Sequence, residues 1–261
     1  IFSDINPKTF NLDASLVLDK INDKTTAIVP VHAFGNACDV EAFEKIAKNN
    51  NLKLIYDAAH AFDISFKDKS LLSYGDISTL SLHATKLFHT VEGGALIVND
   101  KTLVKKVRRL IDFGYDESGL ILDAGINAKM NEFEAAMGLC ILDDIDKIKS
   151  KRKKIFDVYN QELGKLLSFQ LWNKYATKNY AYFPVVFQTE KEMLKAMNIL
   201  NENSIYPRRY FYPSLDSLPY IKCNQKCHNS ISLSKRILCL PLYSELNLND
   251  VLRISEYIKK A

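Results

Sequence analysis

The stretch Leu52-Lys53-Leu54-Ile55-Tyr56-Asp57-Ala58-Ala59-His60 decides how the first half of the chain is interpreted. Residues 52–56 are apolar enough to form a buried strand, and Asp57 follows directly. In open α/β sheets, ligands bind beyond the carboxyl ends of the strands. A carboxylate there needs a cationic partner or strong hydrogen-bond donors. Asp57 is therefore a candidate ligand-binding residue, although the cap of a helix beginning at Ala58 explains these residues equally well.

Short apolar runs alternate with helical patterns on both sides of this stretch. Residues 26–31 predict a buried strand, and residues 39–49 predict a helix whose apolar side chains share one face. Two further strands are predicted over 77–82 and 95–98, and a helix over 101–111. This alternation is typical of an α/β domain with a mostly parallel sheet.

The second half of the chain predicts a smaller α/β unit. Residues 114–130 are rich in loop signals, and a long helical pattern then runs from Asn131 to about Leu163, with Asp143 as a candidate break. The remaining predicted elements are a strand-like segment over 180–187, a helix over 190–201, a strand over 238–242 and a terminal helix. We expect a large domain over 1–145 and a small C-terminal domain over 146–261, joined by the helix over about 131–163.

The segment Ser81-Leu82-His83-Ala84-Thr85-Lys86 places a lysine just after a predicted strand. A lysine that forms a Schiff base with pyridoxal phosphate needs an acid that keeps the pyridine nitrogen protonated, donors for the phosphate, and a partly neutral amine. Asp57 is the candidate acid, and the hydroxyls of Ser81 and Thr85 are candidate donors. Burial beside positive charge would lower the pKa of Lys86. Because most lysines are solvated surface residues, the inference depends on this combination.

Two neighbouring features each have a second interpretation. His60 is a candidate contact for the cofactor ring, and a solvated or capping histidine is the alternative. Gly93 and Gly94 permit a close backbone approach, or they simply form a hairpin turn. The glycine spacings fit neither a dinucleotide fingerprint nor a P-loop.

Composition and charge exclude several other classes of protein. The chain has 47% hydrophobic residues, 25% charged residues and a net charge of +4, which is typical of an ordinary globular protein. The densest basic run, KIKSKRKK at 147–154, has no interleaved aromatic residues. We interpret it as the solvated face of a helix, so we expect no nucleic-acid partner. We also expect neither a membrane span nor a signal peptide.

Cysteine usage predicts a cytoplasmic protein without a metal site. Five cysteines in a chain of 261 residues are an odd number, and a chain of this size needs no disulfide cross-links. Cys223, Cys227 and His228 resemble half of a metal site. No second ligand pair is present elsewhere, so incidental cysteines in a loop are the preferred interpretation.

Several motifs resemble those of the DegT/DnrJ/EryC1/StrS family, pyridoxal-phosphate aminotransferases of nucleotide-linked ketosugars with the aspartate-aminotransferase fold (fold type I). The resemblance runs through the whole chain in consistent order. The motifs are DINPKTFNLD at 4–13, PVHAFG at 30–35, DAAH at 57–60, SLHATK at 81–86, EGGA at 92–95, GINAKM at 125–130 with Glu132, and LPLY at 240–243.

The resemblance implies a role for each matching residue. Lys86 would be the Schiff-base lysine, Asp57 the partner of the pyridinium nitrogen, His60 a contact on the ring side, and Ser81 a phosphate contact. Asn127 would reach the phosphate of the neighbouring subunit, which implies a homodimer with active sites at its interface. Arg209 lies in the segment 206–213 (YPRRYFYP), which the family places near the sugar-nucleotide site.

The resemblance further implies a three-layer large domain, a small C-terminal domain and transfer of an amino group, with glutamate as donor, to a nucleotide-linked keto-deoxysugar. The products of such enzymes feed surface polysaccharides or glycosylated metabolites. Relatives with histidine in place of the lysine perform dehydration instead, and this chain keeps Lys86.

The chain also departs from the family pattern. Members normally begin roughly 100 residues earlier, about the length of a small domain. That part carries the first strands, an aromatic residue that stacks on the cofactor, and a Gly-Thr phosphate loop, a dipeptide that this sequence lacks. Besides an active aminotransferase, the sequence therefore leaves open a truncated, inactive remnant or one piece of a split enzyme.

Overall fold

In the computed structural model, which describes residues 1–222 and 225–261, two sheets of different size organise the chain. The strands are β1 (Ala27–Ile28), β2 (Lys53–Asp57), β3 (Ser65–Phe66), β4 (Lys69–Ser70), β5 (Ile77–Ser81), β6 (Gly94–Val98), β7 (Ser168–Phe169), β8 (Pro184–Val186) and β9 (Ile237–Cys239). The α-helices are α1 (Ala14–Val17), α2 (Val40–Asn49), α3 (Val104–Ile111), α4 (Glu132–Leu163), α5 (Glu190–Glu202), α6 (His228–Arg236) and α7 (Leu248–Lys259). Short 3-10 turns cover Leu18–Lys20, Ala33–Gly35, Leu71–Ser73, Lys101–Leu103 and Leu215–Ser217.

The larger sheet has the strand order β1-β2-β5-β6. β1 and β5 both run parallel to β2, whereas β6 runs antiparallel to β5, so the prediction of an α/β fold with a mostly parallel sheet is confirmed. β1 is shorter than the predicted strand over 26–31. Pro30 has no N–H to donate to a neighbouring strand, and only an isolated bridge between Val31 and Asp57 continues the pairing.

Helix α2 covers one face of this sheet. Asp39 caps its first turn by accepting a hydrogen bond from the N–H of Ala42 at 3.1 Å. Its apolar side chains Val40 and Phe43 are completely buried against the strands. This amphipathic helix therefore closes the first hydrophobic core, as the spacing of its apolar residues predicts.

Helix α4 runs without interruption from Glu132 to Leu163, so Asp143 does not break it. Asn131 and Glu134 form a capping box at its start. Most of its buried residues lie in the last third, from Arg152 to Leu163, where they pack in the C-terminal core. Within residues 1–222 and 225–261, no helix combines the length and apolar character needed to cross a bilayer.

The smaller sheet, β7-β8-β9, is antiparallel throughout and packs with α4, α5 and α7. The sequence patterns missed α6 because its nine residues are mostly polar and Cys227, at its start, provides no side-chain cap. A third cluster of buried residues, which includes Phe10, Phe34 and Tyr182, joins the two sheets. The division into domains at residue 145 stays a prediction.

Candidate active site

Three of the predicted site residues meet at one edge of the larger sheet. The parallel neighbours β2 and β5 end at Asp57 and Ser81, so both side chains lie at the carboxyl edge. The chain continues through the connection 82–93, which carries Lys86, and enters β6 at Gly94 opposite Ser81. A lysine, a carboxylate and a hydroxyl are thereby brought to the place where α/β sheets bind ligands.

The backbone of Asp57 is held by hydrogen bonds at both its N–H and its carbonyl. Its N–H donates to the carbonyl of Pro30 at 2.9 Å, and its own carbonyl accepts from the N–H of His32 at 3.0 Å. Its Oδ1 accepts from the N–H of Ala59 at 3.0 Å. Residues 58–61 form a turn instead of a helix, so the interpretation of Asp57 as a helix cap is wrong.

Lys86 has a half-buried amine that faces polar groups of other segments. Its Nζ lies 3.5 Å from the hydroxyl of Tyr182. Burial lowers the pKa of Lys86, and the negative charge of Asp57 partly opposes this effect. A larger fraction of this amine is therefore neutral at neutral pH than for a solvated lysine.

His60 is buried and neutral. Its Nδ1 accepts a hydrogen bond from the N–H of Phe34 at 3.2 Å, so the ring proton lies on Nε2. Burial lowers its pKa to about 3, and the charge of Lys86 acts in the same direction. The imidazole packs against Tyr182, with ring centroids 4.3 Å apart, and stacks on Phe211 at 5.7 Å. The alternative of a solvated or capping histidine does not match this environment.

The residues on the other side of Lys86 are exposed and polar. The Oγ1 of Thr85 lies 2.9 Å from Nδ1 of His83, and Nε2 of His83 lies 3.5 Å from a carboxylate oxygen of Glu92. Ser81 Oγ accepts a weak hydrogen bond from the N–H of His83 at 3.5 Å. The hydroxyl of Thr85 is therefore accessible to a ligand, whereas Ser81 is half-buried.

A cleft of about 540 Å³ opens above Lys86. Its walls come from the connection, from α4, and from the segments 206–210 and 239–244. None of the described residues that line it is an aspartate or glutamate, whereas Lys86, Arg152 and Arg208 carry positive charge. This distribution favours an anionic ligand. A larger groove of about 920 Å³, between residues 6–18, α2 and 171–175, contains none of the predicted site residues.

Comparisons with known proteins identify the family. The sequence profile of the DegT/DnrJ/EryC1/StrS aminotransferase family matches residues 1–259. The chain belongs to this family. A dTDP-4-amino-4,6-dideoxy-D-glucose transaminase from Shigella dysenteriae is 39% identical over 99% of this chain and 71% of its own length. A GDP-perosamine synthase from Escherichia coli O157:H7 is 31% identical over 100% of this chain and 72% of its own length.

Solved structures agree with this assignment. The crystal structure of DesI in the presence of its TDP-sugar product matches with a TM-score of 0.92 and 30% identity, over 100% of this chain and 68% of that one. The chain is therefore an enzyme, a DegT/DnrJ/EryC1/StrS aminotransferase, and it has the α/β fold of this family. These comparisons confirm the resemblance derived from the motifs.

Asn127 lies apart from the cleft in this DegT/DnrJ/EryC1/StrS aminotransferase. It forms an isolated bridge with Asp112 in the long segment between α3 and α4, and it is exposed. The described lining of the cleft does not include it. Its role toward a neighbouring subunit stays a prediction.

Arg209 and Arg208 occupy different surroundings. The guanidinium of Arg209 pairs with Glu190 at the start of α5 and lies 3.5 Å from the ring centroid of Tyr212. Arg208 lines the cleft, and two backbone hydrogen bonds to Cys239 hold it there. Since successive residues of an extended segment point to opposite sides, only one of the pair could face the cleft. The sequence prediction named Arg209, whereas Arg208 is the residue of the pair that lines the cleft.

Arg152 and Tyr182 are further cleft residues that the sequence analysis missed. Arg152 belongs to the basic run 147–154, which was interpreted as a solvated face, yet Arg152 is only 9% exposed. That interpretation is wrong at this position because the helix turns Arg152 toward the core. No motif marked Tyr182.

The suggested metal ligands give no metal site among the described residues. No group of three or more His, Cys, Asp or Glu side chains that could hold an ion occurs in residues 1–222 and 225–261. Cys223 lies outside the described residues.

Proposed function

We propose that this protein transfers an amino group to the keto carbon of a nucleotide-linked deoxysugar, with pyridoxal phosphate as cofactor and glutamate as donor. The observation that carries the proposal is the grouping of Lys86, Asp57 and His60 at the carboxyl edge of the sheet, where Lys86 lines a cleft with no acidic residue in its described lining. The reaction would take place in the cytoplasm, as part of polysaccharide biosynthesis.

The residues present fit pyridoxal phosphate. The amine of Lys86 has a lowered pKa because it is buried, and the charge of Asp57 acts on that same amine. Ser81 and Thr85 supply hydroxyls of the kind that bind phosphate, and that of Thr85 is exposed. His60 offers an imidazole ring with a hydrogen-bond donor at Nε2.

Each of these residues has a defined task in the proposed reaction. Pyridoxal phosphate supplies, when bound, the carbonyl that carries the amino group and a ring that withdraws electrons. Lys86 would hold the group through Nζ and would accept and return a proton at that atom. Asp57 would keep the ring nitrogen protonated through its negative charge. The hydroxyl of Ser81 would donate a hydrogen bond to the phosphate, and the neutral His60 would contact the ring side.

The charge of the cleft supports a nucleotide-linked substrate. Lys86, Arg152 and Arg208 line it without any acidic neighbour in the described lining, so a diphosphate or a carboxylate would enter a region of positive potential. The Shigella dysenteriae relative is named for a dTDP-linked sugar, and DesI was crystallised in the presence of its TDP-sugar product. We therefore propose a nucleotide-linked ketosugar as acceptor, and Arg209 stays a proposed contact at its outer part.

Exposed apolar residues around Asn127 support a homodimer. Leu120, Ile121, Leu122 and Ile126 are between 55% and 66% exposed. Monomeric proteins rarely expose a large contiguous apolar patch. A second copy of the chain would cover this surface and would bring the partner's Asn127 to the phosphate.

The visible absorbance of bound cofactor tests the proposal. Purified protein mixed with pyridoxal phosphate should turn yellow, and the colour should bleach when glutamate is added. Lys86→Ala should stay colourless and inactive, whereas Lys48→Ala, on the exposed surface of α2, should behave as wild type. A panel of nucleotide-linked ketosugars then identifies the acceptor by the mass of the amino sugar. A wild-type protein that stays colourless would contradict the proposal and would favour an inactive form.

A further inference from the structure

We propose that Tyr182 is a positioning residue for Lys86, and that its hydroxyl holds the lysine amine in the cleft, beside the ring of Tyr182 that packs against His60. The inference rests on the proposed function because it concerns the same lysine. The contact that motivates it is the 3.5 Å separation between Nζ of Lys86 and the hydroxyl oxygen of Tyr182.

The ring of Tyr182 is fixed by its neighbours. It is only 9% exposed, and its centroid lies 4.3 Å from that of His60. Phe34 and Tyr210 pack edge-on against it, each with a centroid distance of 5.9 Å. A hydroxyl on a ring held from three directions has a defined position, so it can fix the position of the amine that it contacts.

The backbone before Tyr182 is tied to the loop that carries His60. Asn179 is completely buried, and its side-chain amide donates to the carbonyls of His60 and Phe62, at 2.9 Å each. Its Oδ1 accepts from the N–H of Ala181 at 3.1 Å. One side chain thereby sets the distance between the His60 loop and the Tyr182 segment.

Arg152 ties the same segment to α4. Its guanidinium donates to the carbonyls of Tyr180 and Ala181, at 3.4 and 3.1 Å. Burying a charge is costly unless hydrogen bonds compensate for it. Although Arg152 is only 9% exposed, no carboxylate pairs with it among the described ion pairs. The buried guanidinium therefore binds the two carbonyls that directly precede Tyr182.

The surroundings of Lys86 determine the effect of the hydroxyl. Besides Tyr182, the charged or titratable groups on the neighbouring segments and the described cleft wall are Asp57, His60, His89, Arg152, Tyr206, Arg208, Tyr210, Cys239 and Tyr243. Burial raises the pKa of Tyr182, so its hydroxyl stays protonated. A hydrogen bond from an ammonium group is stronger than one from a neutral amine. Removing the phenol oxygen should therefore destabilise the charged form of Lys86.

Competitive acetylation of the cofactor-free protein tests this inference. Lys86 is labelled with acetic anhydride at a series of pH values, and the peptide that carries it is quantified by mass spectrometry. In Tyr182→Phe we expect the midpoint of the pH profile to move to lower pH, and the labelling rate below that midpoint to rise about threefold. With cofactor and both substrates, the same variant should lower kcat about tenfold and leave KM for glutamate unchanged.

Tyr74→Phe is the matched control. It likewise removes one tyrosine hydroxyl, but that hydroxyl donates to the backbone carbonyl of Phe66 at 3.2 Å and lies outside the cleft. Its Lys86 profile should match that of the wild type. A Tyr182→Phe profile with an unchanged midpoint, in a protein with wild-type circular dichroism, would overturn the proposal. The labelling needs no cofactor, so its outcome can be told apart from a failure of the proposed function. The proposed function is tested separately, by the colour and activity of the wild type and of Lys86→Ala.

Discussion

Residues of one chain bury the pocket around Lys86, whereas the segment around Asn127 leaves apolar side chains exposed. In the pocket, His60 and Tyr182 are each only 9% exposed, and buried hydrogen bonds connect the elements that carry them. In the segment between α3 and α4, Ile121 and Ile126 are 66% and 65% exposed.

This difference separates two kinds of site residue. A residue in the pocket has its position set by packing within the chain, so its chemistry can be argued from one copy. A residue such as Asn127 is exposed beside apolar side chains, so the role that we propose for it would depend on a partner. Substitutions in the pocket should therefore change the chemistry, and substitutions in the segment should change assembly.

Asp57→Asn is expected to have the largest effect. The amide keeps the size of the side chain but removes the negative charge that acts on Lys86 and that we assign to the ring nitrogen. We expect kcat/KM to fall about a hundredfold or more, as when a preorganised charge is removed from an active site. Steady-state kinetics with saturating cofactor measure it.

Asp63→Asn is the control for this change. Its carboxylate pairs with Lys149 on the surface, so kcat/KM should stay within about twofold of wild type. Equal losses in both variants would remove Asp57 from the proposed chemistry.

The buried histidine gives the pocket a pH-dependent stability. The pKa of His60 is 6.5 when unfolded and about 3 when folded, because burial disfavours the charged ring. Between these values the unfolded chain binds more protons, so the contribution of His60 to the free energy of unfolding is constant well above pH 6.5 and decreases as the pH falls below it. At pH 5 the buried His60 lowers the free energy of unfolding by about 2 kcal/mol relative to pH 7. Urea unfolding at pH 7 and pH 5 measures it.

His60→Gln should remove this part of the decrease. His32, whose pKa burial also lowers to about 3, should keep a decrease of similar size in the variant. His83→Gln, at an exposed position, should leave the dependence as it is in wild type. A His60→Gln protein with the full wild-type decrease would show that His60 is solvated.

Ile121→Asp tests the other region and should have the smallest effect. A charge on the apolar surface should weaken self-association about tenfold while the stability of the monomer stays within about 0.5 kcal/mol. Sedimentation velocity over a dilution series measures association. Leu215→Asp, at a site of similar exposure (60%), should associate as wild type does. Unchanged association of the Ile121 variant would place the dimer contact elsewhere.

The sequence predicted what depends on local patterns. The hydrophobic period placed α2 within one residue of its observed bounds, and the apolar run 52–56 placed Asp57 at the end of β2. The rule for strand ends then placed Lys86 near Asp57. The periodic pattern over 131–163 also predicted a single long helix, apart from the candidate break at Asp143.

What the sequence could not predict depends on contacts between distant segments. The basic run 147–154 predicted that Arg152 is solvated, and the packing of α4 against residues 180–181 buries it. Tyr182 reaches Lys86 across 96 positions of sequence, a contact that no local period encodes. The sequence prediction named Arg209, whereas the pairing of Arg208 with Cys239, a contact between distant segments, places Arg208 in the cleft.

The connection that carries Lys86 also limits how the chain can change in length. The N–H of Leu82 donates to the carbonyl of Gly93, and the N–H of Thr90 donates to that of Leu82, both at 2.9 Å. Gly93 has a φ of 148°, and a Cβ there would collide with the hydroxyl of Thr90. An insertion between residues 82 and 93 would break this closure and displace the lysine. The lysine connection can therefore accept substitutions, but a change in its length would move the amine away from Tyr182.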